Sequence, residues 1–234
     1  MQLLVSPSSI EEARSSLSAD IIDVKKPSEG SLGANFPWII RGIKEIAGKK
    51  PVSAAIGGDN EYKPGTAALS AYGAAHAGAD YIKVGLMFDG GDDRAREVIE
   101  AVTTAVKREF PEKYVVIAAY ADFARMGTIP PFAISSLVAD AGGADIAMID
   151  TGIKDGKSLF EFMDKETLDQ FTARNRELGL QTALAGSLKF EDLDALKRID
   201  PPEIIGVRGG MVCGGDRSTA VRAELVEKAM MMLR

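Results

Sequence analysis

The stretch DIIDVKKPSEGSLG, residues 20–33, runs an apolar strand into Asp23 and Lys25 and then breaks into Pro27, Gly30 and Gly33. Strand alternation puts Asp23 and Lys25 on one face and turns Lys26 to the other, toward solvent. An ion in a low-dielectric interior is costly unless paired, or else it shifts its pKa, so charges that close an apolar strand need a reason. Three later stretches repeat the design. ADYIKVGL carries Lys83, DIAMIDTGIKDGK carries Asp150 and Lys154, and EIIGVRGG ends in Arg208, Gly209 and Gly210.

Outward from residues 20–33, short apolar, β-branched runs alternate with helical patterns along the whole chain, the mark of βαβ units on a parallel sheet. The spacing predicts strands at 3–6, 20–25, 51–57, 79–86, 113–122, 144–152, 181–187 and 203–210. Eight strand–helix pairs point to an α/β protein with a single TIM (β/α)8 barrel rather than a doubly wound sheet, one domain over residues 1–234. Among the helices, FPWIIRGIKEIA is expected to bury Trp38, Ile39, Ile43 and Ile46 on one face. The Ser-rich turn after Pro7 caps a helix with Glu11 and Glu12 in its first turn, and GGDD starts another with Asp92 and Asp93.

Composition bounds the function. Of 234 residues 46% are hydrophobic and 26% charged, which suits a folded globular chain, and a net charge of −6 weighs against a nucleic-acid surface. No run reaches the roughly eighteen apolar residues of a membrane span, and the apolar start is too short for a secretory signal. One cysteine, Cys213, excludes an internal disulfide, and one histidine, His76, leaves little for a soft-metal site, so a reducing, cytoplasmic home and no metal are expected. No GxGxxG or GxxxxGK[ST] motif sits at a strand–helix junction, and no cofactor is expected. The MMML run at 230–233 is expected to pack on the barrel or on a neighbouring subunit, which leaves a homo-oligomer open.

A TIM barrel builds its active site at the C-terminal face. That rule gathers Asp23, Lys25, Lys83, Tyr120, Asp122, Asp150, Lys154 and Arg208. Clustered, desolvated lysines lower one another's pKa, and a neutral amine attacks carbonyls, so the pattern points to Schiff-base chemistry with Asp23 and Asp150 holding lysines and moving protons. Ion pairs that only order the barrel mouth explain a lone strand-end lysine equally well, but three lysines with two aspartates less well. The loops after strands seven and eight commonly cradle phosphate, and here Gly186, Ser187, Gly209 and Gly210 offer backbone amides with Arg208 adding charge.

These segments, namely LLVSP, DIIDVKKPSEGSLGANFPW, YKPGT, GADYIKVGL, DTGIKDGKSLF, ALAGS and GVRGG followed by GGDR, resemble nearly end to end the (5-formylfuran-3-yl)methyl phosphate synthase family. The resemblance implies a TIM-barrel lyase that condenses two molecules of glyceraldehyde 3-phosphate into the furan precursor of methanofuran-type cofactors. It implies a Schiff base at Lys25, with Asp23, Lys83, Asp150 and Lys154 as its companions. The chain departs from the family pattern in its loops, at GGDNEYKPGT and at MVC before GGDR, and that touches the phosphate contacts more than the lysines. Two other readings remain beside it: a Schiff-base aldolase acting on a triose phosphate, and a non-catalytic phosphometabolite-binding barrel.

Overall fold

In the computed structural model, which describes residues 1–57, 62–89, 91–216 and 218–234, eight parallel strands close in sequence order into a barrel. They are β1 (Gln2–Val5), β2 (Ile21–Val24), β3 (Val52–Ala55), β4 (Tyr81–Gly85), β5 (Tyr114–Tyr120), β6 (Ile146–Asp150), β7 (Gln181–Leu184) and β8 (Ile204–Val207). The helices are α1 (Ile10–Ser15), α2 (Pro37–Ala47), α3 (Pro64–His76), α4 (Gly91–Lys107), α5 (Phe123–Met126), α6 (Pro131–Ala141), α7 (Lys165–Glu177), α8 (Leu193–Leu196), α9 (Gly209–Val212) and α10 (Ala223–Leu233). The TIM barrel expected from the alternation is thus present, with β1 pairing to β8 to close it. No helix among the described residues is long and apolar enough to cross a membrane.

Alternation along each strand divides the core in two. Side chains at Leu4, Ile21, Val116, Met148, Ala183 and Ile204 form an inner cluster along the barrel axis, while the opposite faces join the helices in a larger outer layer. Near the mouth this same inward face turns polar. Asp23 pairs in register with Ser53, and Tyr120 with Asp150, so parity alone sends the charged strand ends into one chamber.

The sequence-derived boundaries run too far at the mouth. Strands β2, β6, β7 and β8 stop at Val24, Asp150, Leu184 and Val207, so Lys25, Lys154, Gly186 and Arg208 stand on the loops just beyond. Pro and Gly end the ladder there earlier than apolarity does. Helix α2 buries Ile43 as expected, but with Ile40 and Ala47 rather than the half-buried Ile39 and Ile46, and Trp38 is 66% exposed, stacked on Phe36 at 4.6 Å. The helix begins at Pro37, which puts Trp38 in its first turn outside the packed stripe. Ser9 caps α1 through a hydrogen bond from the Glu12 amide, as the Ser-rich turn suggests. Residues 58–61 of GGDNEYKPGT, Gly90 of GGDD and Arg217 of GGDR lie outside the described residues.

Candidate active site

Asp23 is wholly buried and holds two partners. Lys83 Nζ donates to Oδ1 at 2.9 Å and Ser6 Oγ donates to Oδ2 at 2.9 Å. Burial works to raise its pKa, yet the charges of Lys83 and Lys25 prevail and hold the carboxyl below its usual range. Asp150 forms the second pair: Lys154 Nζ donates to Oδ1 at 2.7 Å, as does the Thr151 amide at 2.7 Å. Lys154 also reaches Thr151 Oγ1 at 3.1 Å. Burial again opposes ionisation, and Lys154 and Lys25 again overcome it.

Lys25 differs from both neighbours. Only 8% of it is exposed, and its amine makes no ion pair or side-chain hydrogen bond among the described residues. Burial pushes its pKa down to about 8; Asp150 and Asp23 pull upward, and the charges of Lys83 and Lys154 add to the depression. Two lysines are therefore paired with carboxylates, and the third is left desolvated beside them. Lys26 turns outward and pairs with Glu29, as the alternation predicts.

Lys25, Lys83, Asp150 and Lys154 open onto a cavity of about 410 Å³ that continues to Gly186, Ser187, Gly209 and Gly210. Four of the five lysine and aspartate candidates thus line one cavity with Gly186, Ser187, Gly209 and Gly210, and Asp23 joins them from behind through Lys83. The amides of Gly186, Ser187, Gly209 and Gly210 meet no acceptor among the described residues, and these four residues line one side of the cavity. The two loops touch so closely here that a Cβ on Gly210 would lie 2.8 Å from the Leu188 carbonyl oxygen. Gly186 has φ 117°, and Ser187 follows at φ 49°.

Arg208 lines the cavity with its cationic head already engaged. Nη1 and Nη2 donate to the Glu12 carboxylate at 2.8 and 3.1 Å, and Nη1 also donates to the Ser6 carbonyl oxygen. Burial acts to raise the Glu12 pKa, and Arg208 and the Ser8 amide overcome it. This arginine braces β8 against β1 and α1 through its two terminal nitrogens, while its Nε meets no acceptor among the described residues. Asp122 is likewise placed elsewhere than the strand-end rule suggests. Its carboxylate accepts from the Gly152 and Ile153 amides at 2.7 and 2.9 Å and ties down the loop after β6, because β5 has already ended at Tyr120.

Sequence reasoning missed Ser6, Thr151 and Glu12 as partners. Ser6 shares the inward parity of Leu4 and was legible on that ground; Glu12 reads in sequence only as a favourable charge in the first turn of α1. His76 faces solvent beside Glu109 at 3.4 Å, Cys213 is buried, and no group of three His, Cys, Asp or Glu residues among the described ones is placed to share a metal ion.

Comparison with known proteins identifies the family of the chain. The family model for 4-HFC-P synthase matches residues 3–230. A (5-formylfuran-3-yl)methyl phosphate synthase of Methanosarcina barkeri is 58% identical over 231 residues, covering 97% of each chain. Enzymes of the same name from Archaeoglobus fulgidus and Methanocaldococcus jannaschii are 50% and 49% identical, again over 97–98% of each chain. Among solved structures, the aldolase QR15 superposes with TM-score 0.63 at 15% identity over 96% of this chain and 90% of its own. Phosphoribosyl anthranilate isomerase from Thermus thermophilus gives 0.58 at 14% over 100% and 98%. At such identities these two speak for the fold alone.

Proposed function

The chain belongs to the 4-HFC-P synthase family, and from that premise we propose that it condenses two molecules of glyceraldehyde 3-phosphate through an imine on Lys25, toward a methanofuran-type cofactor. Two triose phosphates minus one phosphoric acid and two waters equal (5-formylfuran-3-yl)methyl phosphate, so no oxidant is required. The observation that carries this reading is the Lys25 amine: buried, unpaired among the described residues and depressed to about pKa 8, beside two lysines already neutralised by aspartates.

Lys25 attacks the carbonyl of one triose, water leaves, and the iminium acidifies the adjacent C–H as an electron sink. The resulting enamine bonds to the carbonyl carbon of the second triose. Phosphate elimination, ring closure and dehydration complete the furan. Lys83–Asp23 and Lys154–Asp150 serve as the proton-carrying pairs around the imine. The recess of Gly186, Ser187, Gly209 and Gly210 holds one phosphate, and the lysine side of the cavity faces the other.

The test is incubation with glyceraldehyde 3-phosphate, following the furan aldehyde chromophore and released phosphate. A simple aldol with both phosphates retained would instead indicate an aldolase. Binding without turnover would indicate a metabolite-binding barrel.

Imine formation also has a defined pH dependence. A lysine at pKa about 8 is roughly one-tenth neutral at pH 7 and half neutral at pH 8, whereas an ordinary lysine is almost wholly charged at both. Single-turnover borohydride trapping is therefore expected to quicken with pH and level off above about 8 to 9. A rise that continues toward pH 10.5 would mean that Lys25 titrates like a surface lysine.

A further inference from the structure

The inner face of the barrel carries a large polar group that the scheme above does not use. Tyr120 ends β5 and is wholly buried, and its hydroxyl has no hydrogen-bond partner among the described residues. A buried hydroxyl left unpaired costs about 1–3 kcal/mol, and phenylalanine would fill the same space without that cost. The ring is directed toward β4. A Cβ built on Gly85 would collide with the Tyr120 hydroxyl and lie 3.1 Å from Leu32 Cδ1, so the missing side chain at Gly85 makes room for the phenol.

Gly85 is the next inward position after Lys83 toward the mouth, and Tyr120 stands in register with Asp150. The hydroxyl therefore sits between the strands that carry the two ion pairs, on the mouth side of Lys83. Burial pushes the pKa of the phenol up, and Asp150 and Asp122 push it the same way, so it keeps its proton throughout the working pH range.

Leu32, itself only 1% exposed, shares this space with the hydroxyl. It belongs to the loop after β2, which is closed on itself by the Lys26 amide donating to the Gly33 carbonyl oxygen at 2.9 Å and is held by Asn35 Nδ2 donating to the Ser8 carbonyl oxygen at 3.0 Å. Ser31 Oγ donates to the Thr151 carbonyl oxygen at 2.9 Å, and the Gly57 amide donates to the Leu32 carbonyl oxygen at 3.0 Å. Gly30, at φ 110°, precedes them. Each such bond is worth about 0.5–1.5 kcal/mol net, which substrate binding readily offsets.

We propose that Tyr120 is a catalytic hydrogen-bond donor for carbon–carbon bond formation, its hydroxyl binding the carbonyl oxygen of the second triose once Leu32 moves aside. This rests on the condensation proposed above. In that step the enamine carbon bonds to the carbonyl carbon and the π pair of the carbonyl moves to its oxygen. The oxygen then takes a proton from an ammonium group of the chamber. The phenol keeps its own proton and meets the developing charge, as a fixed donor does in an oxyanion hole.

Tyr120→Phe separates this role from a structural one. The variant is expected to melt at or above the wild-type temperature, because an unsatisfied group is removed. Its kcat for furan formation is expected to fall by a factor on the order of 10² to 10³, while borohydride still traps triose on Lys25 at the wild-type rate. A wild-type kcat would overturn the proposal. So would a lower melting temperature with a raised KM and unchanged kcat, which describes a packing residue. Failure of wild-type protein to trap any triose would instead strike the imine reading itself, and the trapping experiment makes the two failures distinguishable.

Discussion

Lys25→Ala is expected to lower furan formation by a factor on the order of 10³ or more and to remove the borohydride-trapped adduct, with the fold intact. Lys25→Arg should do the same, since a guanidinium keeps the charge and forms no imine under these conditions. The stability of these variants is informative because Lys25, unlike Lys83 and Lys154, leaves no carboxylate stranded when it is removed. Its pKa falls on folding from the ordinary 10.5 to about 8. Between those values the unfolded chain binds more protons than the folded one, so wild-type stability rises with pH through that window. Below pH 8 the buried charge is a liability in the folded state, and Lys25→Met should melt higher than wild type at pH 7. Its advantage should shrink as pH climbs toward 10. Thermal melts at pH 7 and 9.5, paired with turnover at each, check both halves. A variant that loses stability at pH 7 while keeping activity would mean that Lys25 is a structural cation and that the nucleophile is elsewhere.

The chamber was legible from residues 20–33 because two periodicities coincide there. An apolar strand has a period of two, a TIM barrel puts its working groups at strand C-termini, and together they place Asp23, Lys25, Lys83 and Asp150 inside the mouth without any coordinates. What the sequence hides is partner choice. Asp23 near the end of β2 and Lys25 just beyond it both face the chamber, yet Asp23 pairs with Lys83 of β4, sixty residues away. Arg208 reads as a phosphate ligand by position, but whether a guanidinium is free depends on Glu12, brought to it only by closure of β8 onto β1. Asp122 has inward parity on paper and loses it where β5 ends. Strand parity is a local property and survives reading one chain in order; ion-pair partners are chosen by barrel closure and do not.

That nonlocal choice makes the Asp23–Lys83 pair the most costly one to break. Lys83 is about 1% exposed and Asp23 fully buried, so Asp23→Asn leaves an ammonium in the barrel interior without its paired countercharge. The expected loss is about 3–5 kcal/mol, read by urea or thermal unfolding. Lys83→Met strands the carboxylate and should cost a similar amount, although the Ser6 hydroxyl still donates to it. Combining Asp23→Leu with Lys83→Met removes both charges at similar volume and should recover most of the lost stability, since a buried ion pair is often no more stabilising than well-packed apolar residues. Activity should not return with the fold. A double variant that is stable, binds triose phosphate and forms no furan would assign the pair to proton transfer rather than to architecture. By contrast Lys154→Ala, at a side chain 16% exposed beside an Asp150 still held by the Thr151 amide, should cost clearly less. If Asp23→Asn proves no more damaging than Lys154→Ala, water reaches the first pair, and the low-dielectric surroundings invoked for Lys25 do not extend to the floor of the chamber.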